Sequence, residues 1–174
     1  MEEGQKKQIA YPSASLRIMA ILIDLTILSM ATRSINTSIF VFLFNNNLAQ
    51  SLEENHTTIN SYEDITRLLQ KQSFIESLDM TQLVITYFES FMFQMCVCGM
   101  YFICMWTWQG YTVGKFLTGM KVVNEKTMGN PNMLSSAIRF ACYAFFPISI
   151  VMMFFRKQGK GIHDVASKTL VVKV

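Results

Sequence analysis

Five charges stand inside apolar stretches of the chain; Arg33 belongs to a polar patch, "TRSINTS", and the other four are the residues placed to do chemistry. Arg17 and Asp24 lie in "LRIMAILIDLTIL", residues 16–28. Glu89 is the sole charge between Thr81 and Trp108, and Arg139 sits near the start of Leu134–Phe155. An ionised side chain at the centre of a membrane span costs several kcal/mol, so such a residue either pairs or handles protons or ions. Arg17 and Asp24 are seven residues apart, two helical turns and about 10.5 Å along one face. Helical neighbours meet at three or four residues, so these two share a face without pairing. Arg17, near the end of its run, reaches headgroups or the tail, whereas Asp24 needs a partner from another segment. Counting from the run ends places Asp24 about 12 Å and Arg139 about 7.5 Å from the same membrane face, depths compatible with an Asp24–Arg139 ion pair across the bundle. That pair fits a lock between helices as well as it fits a functional site. Glu89 falls near the midplane with no basic residue at its depth. It is a candidate for proton or cation handling, or it rests protonated against Gln94 or a serine.

The elements that hold these charges follow from composition. The chain is 51% apolar and 16% charged, where soluble chains carry roughly 25% charged residues. Three apolar runs, 16–44, 81–108 and 134–155, each reach the ~20 residues that a spanning helix requires. They carry no continuous polar stripe. Asp24 interrupts the first run, which argues for a retained helix over a cleaved signal segment. The net charge of +3 and the absence of basic clusters interleaved with aromatics exclude a nucleic-acid partner. Cys96, Cys98, Cys104 and Cys142 all fall within the runs, and C-x-C on a helix is poor metal spacing. They read as small buried apolar residues, with no metal and no cofactor.

Loop charges set an orientation. The N-terminal tail carries Lys6 and Lys7. The loop 45–80 holds six acids against Arg67 and Lys71, and the loop 109–133 holds three lysines against Glu125. Lysine and arginine mark the cytoplasmic side, so the N-terminus reads as inside, the first loop as outside and the second as inside. The tail 156–174 is basic as well, which conflicts with three full spans. Either the third run, with Pro147 in its middle, is re-entrant or bent, or the long first run crosses twice, or the charge rule fails. Within the acidic loop, Ile65, Leu68, Leu69, Phe74 and Leu78 predict an amphipathic segment over 62–78.

After the second run comes "WTWQGYTVGKFLTGMKVV". Gly110, Thr112, Gly114 and Lys115 imitate a phosphate loop, but the glycines are one residue too close and Phe116 stands where Ser or Thr is required. Val122 and Val123 instead predict a short strand, which can pair with "TLVVKV" in the tail. Trp106, Trp108 and Tyr111 read as an interfacial aromatic belt. His163-Asp164 alone lacks the ligands of a metal site.

Taken in order, Arg17, Asp24, "GYTVGKFLTGMKVV", Arg139 in "SSAIRF", and "QGKGIHDVASKTLVV" resemble the RDD family of bacterial membrane proteins. That family is named for one arginine and two aspartates, here Arg17, Asp24 and Asp164. The matching motif positions are Gly110, Thr112, Gly114, Lys115, Gly119, Gly159, His163 and Thr169. The chain departs from the family's usual pattern in carrying Ser167-Lys168, where a glycine before the threonine is usual. The resemblance implies a protein of largely undefined function. A transport role has been suggested for the family, cation/proton antiport is claimed for a relative, and eukaryotic relatives look like organisers of a membrane protein-degradation complex.

The sequence thus predicts one all-α membrane domain over 1–174, with about three spans and a small cytoplasmic β element. It predicts a multi-pass protein of a bacterial inner membrane, N-terminus inside, with the bilayer, further copies or other membrane proteins as partners. The expected function is transport, as monovalent cation/proton exchange by a homo-oligomer through Arg17, Asp24, Glu89, Arg139 and Asp164. The alternative is a non-transporting scaffold or assembly factor for a membrane protein complex. No nucleophile–base set points to an enzyme.

Overall fold

A computed structural model describes residues 10–145, 148 and 160–174. It is mostly helical, and two helices are long and apolar enough to cross a membrane: α1 (Ala14–Asn47) and α5 (Met80–Trp108). Their surfaces explain the assignment. Met19, Leu22, Met30, Ile35 and Phe42 on α1 are exposed, as are Val84, Phe88, Phe91 and Met100 on α5. A water-soluble helix hides such side chains along one stripe; these helices show them around their circumference. Hydroxyls on α1 are answered locally: Thr26, Thr32 and Thr37 each donate to the carbonyl four residues back, at 2.8–2.9 Å. That pattern lets a hydroxyl sit in an apolar medium without an orphan donor. Asp79 opens α5 by accepting from the backbone N–H of Thr81 at 2.8 Å, an N-terminal cap.

Two compact units emerge, one from Met1–Ile27 with Gly99–Val174, the other from Leu28–Cys98. The second unit contains α2 (Ala49–Glu54), α3 (Tyr62–Leu68) and α4 (Gln72–Ser77). The amphipathic segment expected over 62–78 is thus two helices, broken at Leu69–Lys71. A reciprocal cap between Ser61 and Asp64 starts α3, and the Ser61 hydroxyl holds the exposed Asp64 carboxyl below its ordinary range. Phe40, Phe44, Leu48, Leu52, Ile59, Ile65, Leu68 and Phe74 form this unit's buried apolar core.

The first unit contains α6 (Val113–Leu117), β1 (Met120–Asn124), α7 (Met133–Ala141), a 3₁₀ turn (Cys142–Phe145), α8 (Ile162–Ala166) and β2 (Thr169–Lys173). The expected strand pair is present: β1 and β2 run antiparallel, with Val122 opposite Val171 and Met120 opposite Lys173. Thr112 caps α6 and Asn132 caps α7, each accepting from the backbone N–H three residues on. The described part of the third apolar run is α7 and the 3₁₀ turn. Pro147, the rest of that run, Gly159 and the basic residues Arg156 and Lys157 lie outside the described residues.

Candidate charge cluster

Asp164 organises the first unit. It occupies the third position of α8, where its Oδ2 accepts from the Gly161 backbone N–H at 3.1 Å and from Arg17 Nη1 at 2.7 Å. Its Oδ1 pairs with Arg139 Nη1 at 2.6 Å, and its side chain has no exposure. Arg139 Nη1 also donates to the Thr169 hydroxyl at the start of β2. Arg17 Nη2 donates to the Val171 carbonyl at 3.4 Å. One carboxylate therefore joins α1, α7, α8 and β2. Burial alone would raise the Asp164 pKa; the neighbouring cations, Arg139 foremost, outweigh it and hold the group at about 2. Opposite charges at contact favour the ionised form by more than desolvation opposes it.

Asp24 forms a second knot. Its Oδ1 accepts from Tyr101 Oη at 3.0 Å and from the Gly114 backbone N–H at 2.7 Å; its Oδ2 accepts from the Thr112 hydroxyl at 2.5 Å. Gly114 is required by proximity. A Cβ there would stand 2.0 Å from the Ala20 carbonyl oxygen, so α6 lies directly on α1. The "GYTVGK" motif thus acts as a clasp for a carboxylate, with Gly110 (φ +79°) and Gly119 (φ +64°) turning the chain on either side. Only glycine adopts those angles without strain.

Between the knots sits Lys115, 2% exposed. Its Nζ makes no hydrogen bond among the described residues and lies 5.3 Å from the Trp106 ring centroid; Arg139 Cζ lies 5.2 Å from the same centroid. Burial first, and repulsion by Arg139 second, bring the amine down to about 7, against the pull of Asp24 and Asp164. His163, also buried, is pushed down to about 3 by burial and then by Arg139. Its imidazole is neutral, so its 3.6 Å approach to Asp164 is not an ion pair. Tyr143 packs edge-on against both His163 and Trp106.

Three expectations change. Arg139 pairs with Asp164, not Asp24: the depth count treated both residues as lying in straight spanning helices, and it could not see that α6 would bring hydroxyl and amide donors to Asp24. Trp106 is fully buried as the floor of the cluster and is no part of an interfacial belt; Trp108, two residues on, is exposed. Cys96 and Cys104 are exposed, while Cys98 is buried. Glu89 belongs to the other unit, where it is exposed and accepts from Asn47 Nδ2 at 2.9 Å. Tyr101 and Tyr143 escaped the sequence reading because they sit as ordinary aromatics in apolar runs. Ser167-Lys168 has a structural counterpart: Lys168 takes φ +52°, an angle that glycine adopts freely. Among the described residues no group of three or more His, Cys, Asp or Glu side chains converges.

The profile of the RDD family matches residues 11–168. The chain is 28% identical to Uncharacterized protein RP437 of Rickettsia prowazekii over 174 residues, 97% of this chain and 99% of that protein. It is 26% identical to Protein FAM8A1 of Homo sapiens over 96% of this chain, which spans 41% of the human protein. No solved structure matches it.

Proposed function

The chain belongs to the RDD family of membrane proteins, and on that premise we propose that it is a non-transporting membrane scaffold. In this reading it is a multi-pass module of a bacterial inner membrane, N-terminus inside, that presents apolar helix faces to partner membrane proteins. One observation carries the reading. The oxygens of both buried carboxylates are already engaged, those of Asp164 by Arg17, Arg139 and Gly161 and those of Asp24 by Tyr101, Thr112 and Gly114. A carboxylate that ferries a cation needs oxygens open to exchange; these act as fasteners that tie the tail and α6 to the start of α1. Proteoliposomes containing the purified protein test this. Sodium or potassium flux against a pH gradient at the level of empty vesicles is expected. Coupled flux that an Asp24→Asn or Glu89→Gln variant abolishes, with the fold retained, overturns the scaffold.

Lys115 favours the second reading, cation/proton exchange by a homo-oligomer. Its amine titrates near neutrality beside two guanidiniums and two carboxylates that balance each other. Taking a proton shifts the cluster from neutral to a single positive charge. Exchange of this kind predicts flux that Lys115→Met abolishes although the variant still folds and unfolds cooperatively.

A further inference from the structure

The chain leaves α5 at Trp108 and comes back along it. Gly110 (φ +79°) reverses the direction, and the Val113 N–H then donates to Tyr101 Oη at 3.3 Å. Tyr101 stands seven residues before the end of α5, about 10 Å of helical rise. On its other side α6 meets α1, where the Gly114 N–H reaches Asp24 and only the lack of a Cβ clears the Ala20 carbonyl. Gly119 (φ +64°) turns the chain out into β1, and the Val122 N–H closes the excursion by donating to the Gly110 carbonyl at 2.6 Å. Residues 109–119 thus enter between the ends of the two long helices and leave on the side they came from.

Backbone that enters a bilayer outside a spanning helix must satisfy its polar groups within the protein. This excursion does so. Besides the donors of Val113 and Gly114, the N–H of Lys115 finds the Thr112 hydroxyl, and those of Phe116, Thr118 and Gly119 find the carbonyls of Thr112, Gly114 and Phe116, all at 2.8–3.5 Å. The Thr118 hydroxyl donates to the Gly114 carbonyl at 2.8 Å. Lys115, the sole charge between Gly110 and Gly119, is buried. What α6 turns outward is Phe116 and Leu117, 63% and 64% exposed. The long helices are apolar around the same contacts. Met19, Leu25 and Ile27 of α1 and Met100 of α5 are exposed, and no exposed charge lies within 18–27 or 99–108.

We propose that 109–119 is a re-entrant hairpin whose Phe116 and Leu117 lie among the acyl chains of the leaflet at the Trp108 end of α5. The occupant of this face is lipid for two reasons. The face continues the apolar surface that both long helices offer a bilayer, and its backbone asks no donor or acceptor of a partner. Lipid therefore backs the Asp24 clasp from outside. The inference holds whether the chain acts as a scaffold or exchanges ions.

Fluorescence quenching in vesicles tests this on the full chain. Trp106 is fully buried, so a Trp108→Phe background retains one indole that is shielded from lipid and water alike. Phe116→Trp is added to that background, and the protein is reconstituted into phosphatidylcholine vesicles with or without bromine on the acyl chains. The introduced indole is expected to lose most of its emission to the brominated chains and little to iodide in the water. The background protein is expected to keep its emission with both. Leu117→Trp reads the same face should Phe116→Trp fail to fold. Quenching by iodide and not by bromine puts the face in water and overturns the proposal. Quenching by neither puts a second copy or another protein over the face, and overturns it equally.

Discussion

The two compact units solve the problem of an interior in opposite ways. The Leu28–Cys98 unit fills its centre with Phe40, Phe44, Leu48, Leu52, Ile65, Leu68 and Phe74, and its cohesion is the ordinary burial of apolar area. The other unit buries Arg17, Asp24, Lys115, Arg139, His163 and Asp164 at 3% exposure or less, and its centre is a charge lattice on an aromatic floor. Apolar packing is tolerant, since a neighbouring side chain can relax toward a small gap. A charge lattice is not, because a buried ion that loses its partner keeps its full desolvation cost.

The sharpest way to break this contrast is to remove one charge. Asp164→Asn leaves two buried guanidiniums facing each other and is expected to cost about 3–5 kcal/mol in thermal unfolding of the detergent-solubilised protein. Replacing the trio together, Arg17→Met, Asp164→Leu and Arg139→Met, is expected to recover most of that loss, since apolar substitution of a whole buried ion cluster is often near neutral. In the other unit, Phe74→Ala is expected to cost about 3–4 kcal/mol through cavity formation, with no comparable rescue by a second truncation. Gly114→Ala, which drives a Cβ into the Ala20 carbonyl, is expected to cost about 1–3 kcal/mol by forcing α6 off α1.

The units also differ in their response to pH. Lys115 titrates near 7 when folded and near 10.5 when unfolded. Between those values the unfolded chain holds more protons, so stability rises with pH across that window and the slope disappears below about 7. His163, at about 3 folded and 6.5 unfolded, makes stability fall again as pH drops from about 6.5 to about 3. Unfolding midpoints measured across pH should show both slopes; Lys115→Met should flatten the upper and His163→Gln the lower. The smallest expected effect is a gain. Lys168→Gly, which relieves a lysine held at φ +52°, should stabilise by about 0.5–1 kcal/mol.

Much of the fold was legible in the residues themselves. The two long helices end within three residues of the limits read from apolar runs, and Val122–Val123 with "TLVVKV" form the strand pair, because apolar length and β-branched runs are local signals. Lys168 before Thr169 marked the turn that the structure strains. The candidate site was legible only as a set of types. Arg17, Asp24, Glu89 and Arg139 stood out for their burial cost and Asp164 only through the family resemblance, but Glu89 lies outside the cluster, the partner considered for Arg139 was wrong, and Tyr101, Trp106 and Tyr143 carried no signal that set them apart from other aromatics.

What the sequence by itself determined is that Arg17 and Asp24 share a helix face without meeting, so that each must reach elsewhere, Arg17 to headgroups or the tail and Asp24 to another segment, a consequence of helical rise and depth. Which partner each found was decided by tertiary structure. Arg17 and Asp164 are 147 residues apart in the chain, and no local spacing encodes that closure. It depends on β2 pairing with β1, on α8 presenting Asp164 at its first turn, and on Gly114 being small enough for α6 to reach Asp24 before any guanidinium does. Charge and hydropathy state what a buried ion needs; only packing decides which donor arrives.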